Sequence, residues 1–173
     1  RPRPTRGRED TMLGVDIDRM RAGWMAGQLP SLQRRRRIAT LAALSAADFA
    51  FLSLYQLGVL RRLPDLPGRL FDSNRVNVAR KAYARGGPDA PIAAALNGLI
   101  LALASFGGTQ DTGRPRLADW LLGAAVVGGA LASLDYFRDM VLAQQRICLS
   151  CVVAAGASFA MVPFALGELR ARR

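Results

Sequence analysis

The sequence predicts an all-α integral membrane protein, a four-helix bundle preceded by an amphipathic cytoplasmic helix. Hydrophobic residues make up 51% of the 173 residues, and charged residues fall in blocks that separate four stretches with few charges. Apolar stretches of about 17–25 residues are long enough to cross a bilayer as helices. We therefore expect four spans, over about residues 38–60, 90–107, 117–135 and 147–166.

Each predicted span is apolar apart from one or two polar positions. The first contains a single acidic residue, Asp48, and the second contains Asn97 as its strongly polar side chain. The third has Asp119 near its start. The fourth opens with two cysteines and has Pro163 near its end, where a kink costs least.

An amphipathic helix is predicted before the first span. Leu13, Ile17, Met20 and Trp24 recur at spacings of four, three and four, which places them on one helical face. Such a helix would lie on the cytoplasmic membrane surface or dock on a partner protein, and a solvated tail is the alternative. This gives three regions: a basic arm with its helix over 1–37, the bundle over 38–166 and a basic tail over 167–173.

The basic residues predict the orientation. Ten arginines precede the first span, including the run from Arg34 to Arg37, and Arg170 follows the fourth. Because basic residues stay on the cytoplasmic side, both termini are expected there, in the inner membrane of a bacterium. The connection over 61–89 then faces outward although it is itself basic. The fourth span would begin on this outer side, where a disulfide persists.

The net charge of +11 is better explained by lipid than by nucleic acid. Almost all of the charge is arginine at span boundaries, and no aromatic residues interleave the basic runs. Anionic lipid attracts such juxtamembrane arginines directly. We expect the lipid bilayer as a partner and no nucleic acid.

Cys148 and Cys151 are the only cysteines in the chain. Three residues apart in the first turn of a helix, the two sulfurs share a face and lie within disulfide reach. The helix dipole and Arg146 would stabilise a thiolate there, so the pair is predicted to be a catalytic dithiol. The alternative is two small hydrophobes in a packed helix. We expect no metal, because the chain has no histidine and no second cysteine pair.

Asp48 is predicted to face the interior of the bundle, because a carboxylate is costly at bilayer depth. It would be protonated there or hydrogen-bonded to Ser45, Ser53, Tyr55 or Asn97. Two roles remain open for it: a proton relay, or a structural polar contact between helices.

The region over 38–166 resembles the vitamin K epoxide reductase family of integral membrane thiol oxidoreductases. The resemblance rests on Phe71–Tyr83, the Gly-x-Pro turn that follows at Gly86–Ala90, and Cys-x-x-Cys at the start of the fourth span. It implies that Cys148 and Cys151 form the active pair and reduce a quinone bound among the helices beside Cys151. Ubiquinone and menaquinone both remain open.

The chain departs from the family in its loop, since residues 61–89 contain no cysteine and Ser73 stands about where one is expected. Two hypotheses follow. In one, a periplasmic thioredoxin-like protein reduces Cys148 and Cys151 directly, and electrons pass on to the quinone. In the other, the chain is a redox-inactive subunit of a larger membrane assembly, held through residues 1–30 and the 61–89 loop. Whether the chain is an enzyme stays open at this point.

Overall fold

The computed structural model describes residues 17–27, 29–107 and 114–171. Within these ranges the chain is helical, with one isolated bridge and no strand, which confirms the predicted all-α class. The helices are α1 (Ile17–Ala26), α2 (Pro30–Gln56), α3 (Ser73–Asn77), α4 (Ala90–Ser105), α5 (Arg116–Asp139) and α6 (Leu149–Ala171). A short 3-10 turn covers Arg80–Tyr83, and a π-helical turn, Met140–Gln144, extends α5.

Three of the helices are long and apolar enough to cross a membrane. They are α2 with 27 residues, α5 with its π-helical extension over 29 residues, and α6 with 23. The membrane character of the chain is thereby confirmed. The helix α4 has 16 residues, or about 24 Å at 1.5 Å per residue, against about 30 Å of hydrocarbon. A fourth crossing by α4 therefore stays a prediction.

The first long helix begins earlier than the predicted span and ends earlier too. Pro30 occupies its first turn, where a missing N–H costs nothing, so the arginine run is helical rather than a preceding loop. At the other end, Gly58 adopts a φ of 79°. The amide of Gly58 donates to Tyr55 and that of Val59 donates to Leu54. This is a Schellman motif, and it ends α2 before the predicted limit at Leu60.

One apolar cluster joins α2, α4, α5 and α6. Its buried members are Ile38, Ala42, Ile100, Ala104, Leu122, Val126, Met161 and Ala165. Close packing of α5 on α6 depends on Gly123, where an added Cβ would lie 2.8 Å from a methyl carbon of Leu169. The four helices thus share one core, and this core places the start of α6 beside the loop after α2.

Buried ion pairs lie at the end of these helices that is opposite to the cysteines. Arg34 donates to Glu168 at 3.0 Å, and Arg35, only 1% exposed, lies 3.7 Å from the same carboxylate. A second buried pair joins Arg114 to Asp119. Lipid was expected to account for the arginine run, and for Arg35 this expectation is wrong. A buried guanidinium needs a fixed anionic partner, and Glu168 on α6 supplies it.

The described part of α1 contains little of the predicted amphipathic face. Leu13, and the side chains of Ile17 and Met20, lie outside the described part of the chain. Trp24 is half-buried, and the guanidinium of Arg35 lies 5.8 Å from the centre of its ring. The amphipathic character of this segment therefore stays a prediction.

Candidate active site

Cys148 and Cys151 lie at the very start of α6. Cys148 directly precedes the helix, and its Sγ accepts a hydrogen bond from the backbone amide of Cys151 at 3.2 Å. Its carbonyl accepts the amide of Val152 at 3.1 Å, as the first bond of the helix. The sulfur thus caps α6 as a serine or aspartate oxygen commonly does. Both cysteines are free thiols, held next to each other by this turn.

The sulfur of Cys148 is fully buried among hydrogen-bond donors. Its exposure is 0%, and the Nδ2 of Asn77 donates to it at 3.2 Å. Hydrogen bonds from the Cys151 thiol and, more weakly, from the Cys151 amide and Asn77 hold the pKa of the Cys148 thiol below its usual range, in spite of burial. Donors favour the charged form of a thiol, so this sulfur is prepared to act as a thiolate.

Arg146 was expected to add a positive charge beside the pair. Its guanidinium instead donates to the carbonyl of Gln145 at 3.0 Å. Gln145 adopts the left-handed conformation with a φ of 52° and ends the π-helical turn. The stabilisation of the Cys148 thiolate therefore comes from neutral donors and the helix start, rather than from this arginine.

The loop after α2 is pinned onto the cysteine segment. The amide of Ile147 donates to Leu70 at 2.7 Å, and the amide of Asp72 donates to Ile147 at 3.1 Å, forming the isolated bridge. The amide of Leu149 donates to the Oγ of Ser73 at 3.3 Å. The serine at the expected position of a loop cysteine thus contacts the residue next to Cys148.

A cavity of about 170 Å³ lies between the four core helices and the loop. Its walls are mainly apolar, with Phe49, Leu52 and Ile100 among them. Cys151 lines this cavity whereas Cys148 does not. The pair therefore has one sulfur that faces an apolar chamber and one that faces the loop.

Asn97 and Tyr136 are polar members of the cavity wall. The Nδ2 of Asn97 donates to Ala93 at 2.9 Å, but its Oδ1 is buried without a hydrogen-bond partner. An unsatisfied buried acceptor costs free energy unless a donor reaches it. Asn97 is thus a polar side chain in a mainly apolar wall, and its buried oxygen has no donor.

Asp48 is half-buried on α2, and its Oδ2 is buried without a hydrogen-bond partner. Its carboxyl interacts with the hydroxyl of Ser150, between the two cysteines in sequence. Of the partners considered from sequence, Ser53 donates to Phe49 and Tyr55 donates to Asn74. The carboxyl therefore lies close to the cysteine pair, which the sequence did not suggest.

Comparison with known protein families agrees with this geometry. Residues 36–166 match the family described as VKOR: Vitamin K epoxide reductase family. The match covers well over half of the chain. The chain belongs to the vitamin K epoxide reductase family. No curated protein matches it.

Membership of the vitamin K epoxide reductase family indicates a membrane thiol-disulfide oxidoreductase type of function, and the family in general uses quinone. This member keeps the cysteine pair of its fourth predicted span, while its 61–89 loop lacks cysteine. The loop nevertheless covers the pair, through Ser73 and Asn77.

Three residues of the site escaped sequence reasoning: Asn77, Met140 and Asp65. Asn77 bonds the Cys148 sulfur, and the Sδ of Met140 accepts the Cys148 amide at 3.2 Å. Asp65 accepts the hydroxyl of Ser73 at 2.5 Å. Asn77 and Ser73 both lie in the stretch that resembled the family's outer loop, which was the available signal. No sequence signal pointed to Met140 or Asp65.

Proposed function

We propose that this chain is a membrane thiol-disulfide oxidoreductase that passes electrons from a periplasmic thioredoxin-like protein, through Cys148 and Cys151, to a membrane quinone. In the first half-reaction the two thiols close to a disulfide and give up two electrons and two protons. The quinone accepts the two electrons and the two protons and becomes the hydroquinone. In the second, the partner's dithiol reduces the disulfide by thiol exchange and leaves as a disulfide.

The observation that carries this proposal is the position of Cys151 in the cavity wall, with Cys148 directly behind it. A sulfur that lines an apolar chamber meets an apolar electron acceptor, and a donor-stabilised sulfur next to it closes the disulfide. Two structural cysteines packed as hydrophobes would require neither the donors around Cys148 nor the chamber beside Cys151.

The cavity suits a quinone ring in chemistry as well as in position. Apolar walls favour a ring with an isoprenoid tail, and Asn97 and Tyr136 are the polar side chains that would orient it. Asp48 lies in the neighbourhood of Ser150 and Cys151, and its carboxyl would take up the proton that Cys151 releases. Ubiquinone and menaquinone both fit this description, and either type would serve as the electron acceptor.

The proposed setting is the bacterial inner membrane with both termini cytoplasmic. The buried arginine end of the bundle holds the start of α2 and the end of α6 together, at Arg34 and Glu168. The cysteines and the loop lie at the other end. Positive charge near the first end supports placing it in the cytoplasm and the site on the periplasmic side, with four crossings including α4.

A reconstituted assay tests the proposal. The reduced protein in lipid vesicles is mixed with a short-chain quinone, and quinone loss is followed by absorbance. We expect Cys148→Ser and Cys151→Ser each to abolish reduction, while Thr40→Ala, which removes an exposed hydroxyl on α2, reduces quinone at the wild-type rate. A wild-type protein whose cysteines stay reduced in the presence of quinone would refute the proposal.

The alternative, a redox-inactive accessory subunit of a larger membrane assembly, is favoured by one observation. Cys148 is 0% exposed beneath a loop that has no cysteine of its own, so a protein dithiol reaches it only if the loop moves. The double variant Cys148→Ser with Cys151→Ser separates the two functions. An accessory subunit would stay in its complex without a redox defect, and deleting residues 1–29 or neutralising loop arginines would release it.

A further inference from the structure

The loop over 61–89 carries more positive charge than its own carboxylates offset. It contains seven basic and three acidic residues, which leaves it a net charge of +4. Six of the basic residues are exposed arginines, called the loop arginines below: Arg61, Arg62, Arg69, Arg75, Arg80 and Arg85. Among the residues that the structure describes, none of these six forms an ion pair.

The acidic residues of the loop are engaged by neutral donors instead. Asp65 accepts two hydrogen bonds from a nearby serine, and Asp72 caps α3 by accepting a backbone amide at 2.9 Å. Asp89 accepts the side chain of a glutamine on α2 at 2.7 Å. Lys81, the seventh basic residue, pairs with Asp135 on α5 at 2.8 Å. The six guanidiniums of the loop arginines are therefore available to an anion from outside the chain.

The loop arginines belong to the segments that contact the cysteine pair. Arg69 directly precedes the residue whose carbonyl accepts the amide of Ile147 at 2.7 Å. Arg75 lies on α3, the helix whose Asn77 donates to the sulfur of Cys148 at 3.2 Å. Because Cys148 is fully buried beneath this loop, a protein dithiol that reacts with the pair must first contact the loop.

We propose that the electron-donating partner docks on the 61–89 loop through an acidic surface, an inference that rests on the proposed redox function. Carboxylates of the partner pair with the exposed guanidiniums, whose planar fork matches a carboxylate in two parallel hydrogen bonds. Complementary charge of this kind speeds the encounter of two proteins and selects against partners of the wrong charge. The loop arginines thus choose the protein that reaches the cysteine pair.

Anionic lipid is the other anion that the loop arginines could meet, and the position of the loop argues against it. The negative surface potential of a membrane belongs to its cytoplasmic leaflet. The loop lies at the end of the bundle opposite to Arg34 and Glu168, which the proposed topology places outside. Since basic residues are normally retained on the cytoplasmic side, six exposed arginines on an outer loop call for a local anion. A protein that meets this loop in every reaction cycle supplies one.

Peptide probes test for the acidic surface. Two peptides of equal length carry the same Cys-x-x-Cys core, flanked by aspartates in one and by asparagines in the other, and redox-inert copies of both have serines in place of the cysteines. Fluorescence anisotropy measures the binding of the inert copies to the oxidised protein in zwitterionic detergent. We expect the aspartate peptide to bind at least about tenfold more tightly than the asparagine peptide at low ionic strength. This preference should disappear at about 1 M salt.

Two variants assign the preference to the loop. The loop variant removes three of the loop arginines: Arg69→Gln, Arg75→Gln and Arg80→Gln. The matched control removes three exposed arginines from the opposite end of the bundle: Arg37→Gln, Arg116→Gln and Arg170→Gln. We expect the loop variant to reduce the preference for the aspartate peptide at least about fivefold and the control to keep it. The asparagine peptide should bind both variants as it binds the wild type, which shows that the loop is still folded.

Equal binding of the two peptides to the wild type, or a preference that survives in the loop variant, overturns the proposal. Phosphatidylglycerol that co-purifies with the wild type and is lost from the loop variant would assign these arginines to lipid and overturn it as well. The reducing peptides test the proposed function separately, by their rate of reducing the disulfide between Cys148 and Cys151. If the aspartate peptide binds preferentially but leaves this disulfide intact, the acidic docking surface stands and the proposed electron transfer is refuted.

Discussion

Replacing Asn77 with leucine should remove one of the donors that stabilise the Cys148 thiolate. The Nδ2 of Asn77 lies 3.2 Å from the sulfur, and the side chain is buried at 5% exposure, so water does not replace the lost bond. Leucine has a similar volume and no donor, so the substitution removes this bond together with the 2.8 Å bond from Asn77 to the carbonyl of Ser73. The pKa of Cys148 should therefore rise.

The size of this rise follows from the energy of one hydrogen bond to a charged group. Such a bond contributes about 1.5–3 kcal/mol, and 1.36 kcal/mol corresponds to one pKa unit, so the pKa of Cys148 should rise by about one to two. At a fixed pH below the wild-type pKa, the fraction of Cys148 present as thiolate should be about tenfold to a hundredfold lower in Asn77→Leu than in the wild type. Thiolate-dependent reactions that run at neutral pH in the wild type should require a more alkaline pH in Asn77→Leu.

The assay is the ultraviolet absorbance of the thiolate, titrated with pH in reduced protein, with the Cys148→Ser variant subtracted. Asn74→Leu is the matched control, because Asn74 lies on the same short helix but bonds Leu63 rather than a cysteine. The reasoning is refuted if the pKa of Cys148 stays within a few tenths of the wild-type value in Asn77→Leu, or if Asn74→Leu raises it equally.

Three further predictions concern the bundle and its polar groups. Glu168→Ala should lower the free energy of unfolding by about 3–5 kcal/mol, because it removes the buried carboxylate that pairs with Arg34 and Arg35. Asp135→Ala, which removes an exposed ion pair with Lys81, should lower it by at most about 1 kcal/mol. Denaturation of both variants in detergent measures the difference. Gly123→Ile should lower the free energy of unfolding by about 1–3 kcal/mol in the same assay, because its side chain would collide with Leu169. Gly128→Ala, where the added Cβ meets open space, should leave that free energy unchanged. Equal losses in the two variants would argue against close packing of α5 on α6. Asp48→Asn should fold normally but slow quinone reduction; an unchanged rate would leave Asp48 with a packing role only.

Sequence pattern predicted the parts of this protein that depend on near neighbours in the chain. Long apolar stretches indicated α2, α5 and α6, and the spacing of Cys148 and Cys151 indicated two sulfurs in one helical turn. The resemblance of the loop and of the cysteine motif to the vitamin K epoxide reductase family is confirmed by the family match. The block of charge predicts a loop over the arginine run, whereas α2 begins before it, at Pro30.

The packing of the helices determines which groups that are distant in sequence come into contact. The arginine run has the same local pattern whether it faces lipid or protein, and only the return of α6 beside α2 brings Glu168 to Arg35 and buries it. Residue pattern alone located the three long apolar helices and the dithiol, because apolar periodicity and residue spacing act within a few turns. Two loop residues contact the cysteine segment, Asn77 at the Cys148 sulfur and Ser73 at the Leu149 amide, and both are more than seventy residues away in sequence. Their role depends on the packing of the loop against α6, which no local pattern encodes.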